Sequence, residues 1–545
     1  MKKWLLVFLL TGVAAWLGAQ ALTAVKPPAE LMPAGALLYV EARDFGKLVS
    51  DWDASPEKKA WVASANYQSF MRSHLLTRLV EARKGFTDAA GLAEDAPMLA
   101  GVAGGESAVG FYHIGKLEFL YITRLPAARF ADSALGKVKQ KFEPRKAGGR
   151  DYFVQTKGEN TIAFAVVDDR LILATREDLI ASSLRLLAGE KVLTLRDERW
   201  FADALGKAPG SGAHDVRFVA DLERTAKTPQ FRSYWIHQNV SEVRQFASEV
   251  ADLKFGASEV REDRVLLRRK AQEAVTEGAI SGLMRYALPD AGFSQAFAKP
   301  ANVAELLAQK LFGHGQALER QYQTKAAPDA PEGPSLLGED DYETRVDTAK
   351  LSEASVDVYA PLEALAANTD AVLQTGSGRS SGVLPTADTV VVLHGVTPWK
   401  ATDVKRILAG IAAAVWSASD WVDGDGYSEL ASAATPLRFA VNGNLLVVSA
   451  SPEWMTRVMA GRASSSSGAS YWASLKFAQE SGGYARMMRL IDFPAIPQGA
   501  GEREPLFFSE NAASLVAAFT RLDSIAVTAH DTGAMVTEAI VYRKK

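Results

Sequence analysis

The chain has 545 residues, of which 48% are hydrophobic and 23% charged, a composition ordinary for a globular protein with a real core and room for about three domains or two large ones. Its formal net charge of -3 gives no electrostatic pull towards nucleic acid, so that class of partner is set aside. It contains no cysteine, which excludes disulfides, thiol catalysis, thiolate metal sites and a lipidated N-terminal cysteine together.

Lys2 and Lys3 precede an apolar run from Trp4 to Val25, interrupted by Thr11, Gln20, Thr23 and small residues. A basic end followed by an apolar stretch is an export signal. Ala19-Gln20-Ala21 fits the small-x-small cleavage pattern. The run, of about 22 residues, is also long enough to span a hydrocarbon core as a helix. Two readings therefore stand, a cleaved signal peptide or an uncleaved transmembrane anchor over 1–25. Both leave the lysines in the cytoplasm and the rest of the chain outside. The expected location is the periplasm, with tethering to the inner membrane if the segment is kept. Ile407 to Trp416 is apolar but short, and reads as a core helix.

Lys26-Pro27-Pro28 makes a stiff exit from this segment. Pro33-Ala34-Gly35 is a turn, and Leu37 to Ala42 a strand. Asp44 caps a short helix carrying Leu48 and Trp52. Phe164 to Ala174 reads as strand, turn at Asp168-Asp169, strand. A helix follows, ending at Leu187-Ala188-Gly189, then Trp200 and a strand around Arg217-Phe218-Val219. Phe246 to Leu253 reads as a helix before a hairpin that finishes at Val265 to Lys270.

The same grammar returns. Leu288 to Phe293, Phe297 and a helix from Asn302 with Leu306, Leu307 and Leu311 echo the opening. Phe439 to Val448 is a second hairpin, turning at Asn442-Gly443. It too leads to a helix ending in Ala-Gly, at Ala460-Gly461, then to Trp472 and a strand around Arg486-Met487-Met488. Leu515 to Leu522 leads into a last hairpin that finishes at Ile540 to Lys544. These landmarks recur in one order at offsets of roughly 255–275 residues, far longer than a solenoid period. The expectation is a tandem duplication with halves 30–275 and 276–545. Flexible insertions are expected near 326–341 and 376–382, with another link at Ser464 to Gly468. The fold class expected is α+β: mainly antiparallel sheets with helices packed on one face, preceded by the signal or anchor helix.

Leu31-Met32-Pro33-Ala34 with Tyr39-Val40, placed just after an export signal, resembles an uncharacterised family of bacterial exported envelope proteins. That family also carries a Leu-Pro-Ala turn and a Tyr-Val strand, then alternating hairpins and helices. The specific resemblance covers the opening residues alone. In the second half Phe293 to Phe297 stands where Tyr39-Val40 would sit. The family has no assigned activity, so the resemblance implies no functional residue.

No motif specifies a reaction. Gly378-Arg379-Ser380-Ser381-Gly382 matches the Gly-x-Ser-x-Gly elbow of serine hydrolases, but a strand follows it where the elbow needs a helix. Asp423-Gly424-Asp425-Gly426 suggests a calcium loop. Trp421 and Ser432 occupy the positions where an EF-hand needs acids, so a tight turn is expected. His74, His113, His214, His237, His314, His394 and His530 show no metal-ligand spacing. His214-Asp215 could be a base with its orienting carboxylate, and His394 ends a strand. The aromatic stretch Phe231 to His237, with Phe507-Phe508 in the second half, could take an apolar or sugar ligand but suits helix packing better. The basic strand ends Arg268-Arg269-Lys270 and Arg543-Lys544-Lys545 could meet anionic headgroups, or simply be solvated.

No catalytic, cofactor-binding or metal-binding residue is therefore assigned, the ligand-binding residues stay unknown, and no cofactor is expected. The composition and motifs lean away from an enzyme and towards a non-enzymatic envelope component that binds or scaffolds. An apolar ligand or an envelope protein would be its partner, and the membrane would be met through the N-terminal segment. The alternative is a periplasmic hydrolase whose site is assembled from distant residues.

Overall fold

The computed structural model describes residues 26–71, 74–93, 101–209, 214–228, 243–275, 279–298, 303–304, 322–323, 345–346, 359–378, 387–416, 420–430, 437–461, 468–492 and 521–545. Residues 1–25, read above as a signal or anchor, and 326–341, read as an insertion, lie outside them. The chain combines helices with antiparallel strands, an α+β architecture. Contacts divide it into two compact units, residues 26–49 with 81–203 and residues 50–80 with 204–545.

The first unit holds strands β1 (Leu38–Ala42), β2 (Ser107–His113), β3 (Glu118–Arg124), β4 (Glu143–Ala147), β5 (Arg150–Lys157), β6 (Asn160–Val167) and β7 (Arg170–Ala174). They pair antiparallel in the order β1-β2-β3-β7-β6-β5-β4. Gly35, at φ 110, makes the turn before β1. Asp44 Oδ1 accepts the Lys47 amide at 2.9 Å and so caps the helix Phe45–Ala54, as its place in the sequence predicts. The β6–β7 turn has Asp168 at φ 49 and Asp169 at φ 59. Two positive φ values are what a type I′ hairpin turn requires, and Asp tolerates them better than most residues. Phe164 anchors one face of this sheet, with ring centroids 5.3 Å from Phe130, 5.0 Å from Phe142 and 5.6 Å from Phe153. The alternate residues Ala163, Ala165, Ile172 and Ala174 are buried as well, and the helix Glu177–Leu187 packs on β6 and β7.

The second unit holds β8 (Val216–Asp221), β9 (Phe246–Phe255), β10 (Glu259–Arg268), β11 (Phe293–Ala298), a small pair β12 (Tyr322–Gln323) and β13 (Arg345–Val346), then β14 (Thr369–Gly378), β15 (Ala387–Gly395), β16 (Trp421–Asp423), β17 (Ser428–Leu430), β18 (Leu437–Asn442), β19 (Leu445–Ser449), β20 (Tyr471–Leu475), β21 (Leu522–Asp531) and β22 (Met535–Lys544). All but β12 and β13 join one antiparallel sheet in the order β8-β9-β10-β22-β21-β20-β11-β14-β15-β19-β18-β17-β16. The β10–β22 ladder runs from Glu259↔Arg543 to Leu267↔Met535.

Four expectations are corrected here. Helices cover both faces of the sheet, not one. Val372, Val391 and Leu393 pack with Leu362, Leu365, Val404 and Leu408 from the helices Tyr359–Asn368 and Ala401–Trp416. The neighbours Leu373, Val390 and Val392 pack with Ile280, Leu283, Met455 and Val458 from the helices Ala279–Met284 and Pro452–Met459. A strand covered on both faces is apolar throughout, which is why Val390 to Leu393 shows no alternation. Phe246 to Leu253 is strand β9 and not a helix, because pairing with β8 and β10 on either side outweighs the modest helix preference of its Ala, Glu and Leu residues. Trp472 lies in strand β20 whereas Trp200 lies on the helix Arg199–Gly206, and Arg486 to Met488 belong to the helix Phe477–Asp492, so those two landmarks do not correspond. Gly376 to Gly378 are the end of β14 and not a link; residues 379–386 lie outside the described residues.

Candidate functional site: a carboxylate cluster around Arg264

Within a strand, side chains two apart share a face. Glu262 and Arg264 do so on β10, and the register sets Glu538 of β22 directly opposite Arg264. Glu249 comes from β9, where it lies opposite Leu266, the next residue along the same face of β10. Three carboxylates thereby converge on one guanidinium. Arg264 Nε lies 3.1 Å from Glu249 Oε1 and 3.0 Å from Glu262 Oε1, and Arg264 Nη1 lies 3.4 Å from Glu538 Oε2.

The charges do not balance, and the cluster is largely shielded from water. Burial pushes the Glu249 carboxyl up, and the negative charges of Glu262 and Glu538 add to it against the pull of Arg264. Burial raises Glu538 in the same way, with Glu262 adding and Arg264 opposing. Burial alone would weaken the Arg264 cation, but its three acidic neighbours outweigh this and raise its pKa. Burial raises the phenols of Tyr471 and Tyr542, with Glu538 adding at the first and Glu262 at the second. The Glu249 and Glu538 carboxyls thus keep their protons to higher pH than ordinary glutamates do, and Arg264 ties β9, β10 and β22 together through one side chain.

A second charged cluster occupies the other face of the same strands. Arg217 of β8 faces Asp252 of β9 and grips it with two bonds of 2.6 and 2.7 Å. His214 Nδ1 lies 4.0 Å from the same carboxylate. Asp215 is not its orienting partner: that carboxylate accepts the Phe255 amide at 2.7 Å.

The remaining sequence candidates are placed as follows. His394 Nδ1 meets Asp370 Oδ1 at 2.6 Å. Gly378 donates its amide to Glu480 Oε2 at 2.9 Å and Ser377 donates its hydroxyl to Glu480 Oε1 at 2.7 Å, while Ser380 lies outside the described residues. Thus the histidine–aspartate pair and the serine–glutamate pair form separate clusters. Asp423 to Gly426 make the tight turn between β16 and β17, with the Gly424 amide donating to the Tyr427 carbonyl at 2.8 Å. Asp423 is held by Lys405 and by Ser428 Oγ at 2.6 Å, and those two bonds keep its carboxyl below the usual range. Arg268 is buried and pairs with Asp531 at 2.6 Å over the Phe246 ring, so it is no headgroup contact. His113 Nδ1 accepts the Lys116 amide at 3.0 Å, and His530 sits in β21. His237, His314, Phe231 to Ile236 and Phe507-Phe508 lie outside the described residues, as does the side chain of His74. Among the described residues no group of three or more His, Asp or Glu could hold a metal ion.

In the first unit a cavity of about 20 Å³ is lined by Phe86, Leu92, Val102, Ala134, Leu135 and Leu173, room for about one water molecule.

The sequence reading missed the Arg264 cluster. Its signal was the alternation Glu262-Asp263-Arg264 within a strand, which sends Glu262 and Arg264 to one face and Asp263 to the other. Reading residues 246–253 as a helix removed the partner strand that supplies Glu249.

No protein-family model matches the chain, and no curated protein matches it by sequence. Two solved structures, crystal forms III and I of TP0453, are each 12% identical to it. Form III aligns over 48% of this chain and 86% of its own with a TM-score of 0.26, and form I over 46% and 81% with a TM-score of 0.24. Scores of that size carry no inference about what this chain does.

Proposed function

We propose that the chain is a duplicated, exported envelope protein with a non-enzymatic scaffold role, held at the inner membrane by its N-terminal segment. The observation that carries the duplication is strand order. The series β1-β2-β3-β7-β6-β5-β4 of the first unit has its counterpart, strand for strand, in β11-β14-β15-β19-β18-β17-β16 of the second. The remaining strands read β8-β9-β10 and then β22-β21-β20, the same three in reverse. Equivalent strands of the two copies, β10 and β22, therefore meet antiparallel.

That junction supports a scaffold over a carrier. A carrier made from two copies would hold its ligand in a cleft between them. Here the seam is a continuous backbone ladder from Glu259 to Leu267, and its side chains on one face are tied by Arg264. The export half of the reading rests on Lys2, Lys3 and the apolar run to Val25.

The absence of cysteine makes the seam directly testable. Asp263 and Ala539 are register partners, so Asp263→Cys with Ala539→Cys should give an intramolecular disulfide during export, since facing Cα atoms in such a pair lie about 4.5–5.5 Å apart. Failure of that pair to close while a pair within β9–β10 closes would reject the seam. Extraction of the purified native protein should release no stoichiometric lipid by mass spectrometry; a bound lipid at one per chain would replace the scaffold with a carrier. Fractionation to the cytosol would end the export reading.

A further inference from the structure

The helices between residues 45 and 80 leave several large apolar side chains exposed within one stretch of the chain. The helix Phe45–Ala54 carries Phe45, Leu48, Val49 and Trp52 at i, i+3, i+4, i+7 spacing; the first three are half-buried, Phe45 against the Tyr121 ring at 6.3 Å, and Trp52 is left exposed. The helix Pro56–Val62 buries none of its residues. Trp52 is 46% exposed, Met71 47%, Leu79 42% and Val80 47%. Trp61 stands among Trp52, Tyr67 and Phe70, with ring centroids at 6.3, 4.8 and 5.5 Å. Exposed aliphatic side chains in the same stretch of chain as tryptophan and tyrosine make a mixture that partitions to a membrane–water boundary, where an amphipathic ring has both its environments. The charges in this stretch are of both signs: Lys58 pairs with Asp53, and Glu57 lies 3.7 Å from Arg521. An attraction here is therefore apolar insertion and not a polybasic contact.

The occupant follows from the chain that precedes the described residues. Residues 1–25 hold the apolar run from Trp4 to Val25, and Trp52 follows Lys26 closely in sequence. A bilayer that keeps this run is presented to segment 50–80 at the high effective concentration of a tethered partner. We propose that segment 50–80 is a membrane-docking face whose Trp52, Met71, Leu79 and Val80 enter the boundary between headgroups and acyl chains of that bilayer. The inference rests on the reading that the N-terminal segment stays in the membrane.

The test uses the full chain in vesicles of phosphatidylcholine with phosphatidylglycerol, carrying a single nitroxide at Trp52→Cys or Leu79→Cys. Leu193→Cys and Val422→Cys, at exposed positions elsewhere, serve as controls. Labels at 52 and 79 should collide with oxygen in preference to an aqueous nickel chelate, and the controls should show the reverse. Leu79→Asp with Val80→Asp should bring the label at 52 to the control ratio with the far-ultraviolet dichroism unchanged. Water-like labels at all four positions would overturn the docking face. So would labels at 52 and 79 shielded from both reagents and broadened by each other, which would mean that a second copy covers them. Flotation and N-terminal sequencing separate the two readings. A chain that floats with wet labels keeps the tether and loses the face. A chain cut near Ala21 whose labels still enter added vesicles loses the tether and keeps the face.

Discussion

Glu249 and Glu538 each contribute a pH dependence to stability. Their carboxyls are raised in the folded protein, so between the ordinary glutamate value and the raised one the native state binds more protons than the unfolded state. Their contribution is then greatest on the acid side of that window and is lost as pH rises through the folded pKa. Urea titrations across this range should show it, and Glu538→Gln should flatten the slope; an unchanged slope would remove Glu538 as a cause. Arg264→Met leaves three carboxylates without their cation. Allowing for their partial exposure, it should cost about 2 kcal/mol near neutral pH and less in acid, where Glu249 and Glu538, with their raised pKa values, take up protons. Equal losses at both pH values would mean that the residue acts through packing. The sequence reading missed this site, although the i, i+2 spacing of Glu262 and Arg264 is local and was there to be read. Glu538 was out of reach, since nothing nearby in sequence says which strand lies opposite β10.

Elements were legible where local chemistry decides them. The hairpin at Asp168-Asp169 declares its turn type through residues that tolerate positive φ, and Gly443 at φ 57 does the same between β18 and β19. Gly189 at φ 84 and Gly461 at φ 57 end their helices in the left-handed conformation. Strand β9 was illegible, because Ala, Glu and Leu carry a helical preference that only its neighbours on either side override. The approach of the helix Phe477–Asp492 to β14 is another non-local feature. A Cβ on Gly292 would fall 1.6 Å from Glu480 Oε1, the carboxylate that Ser377 and Gly378 hold. Gly292→Ala should therefore displace Glu480 and destabilise the protein by about 2 kcal/mol through overpacking and lost hydrogen bonds. A change within a few tenths of that unit in a denaturation series would show that Glu480 moves aside freely.

At the scale of the whole molecule, the division into two compact units predicts unfolding in more than one step. Phe164→Ala, in the first unit, should cost about 3–5 kcal/mol and advance one calorimetric transition, while Leu393→Ala, in the second, should cost about 2–5 kcal/mol and advance the other. Both substitutions moving a single common transition would mean that the chain melts as one body. The proposed internal repetition starts from recurring hairpins and helix ends that can be read in the sequence. The sheet order cannot be read there, because pairing of β10 with β22 joins residues far apart along the chain. That pairing has a mechanical corollary. β22 is flanked by β10 and β21, antiparallel to it on both sides along nearly its whole length. A pull along β22 would strain both rows of backbone bonds together in shear, whereas a pull across the sheet would peel them singly. The molecule should thus resist stretching along that axis far better than across it, a difference that single-molecule force spectroscopy with two attachment geometries would read directly.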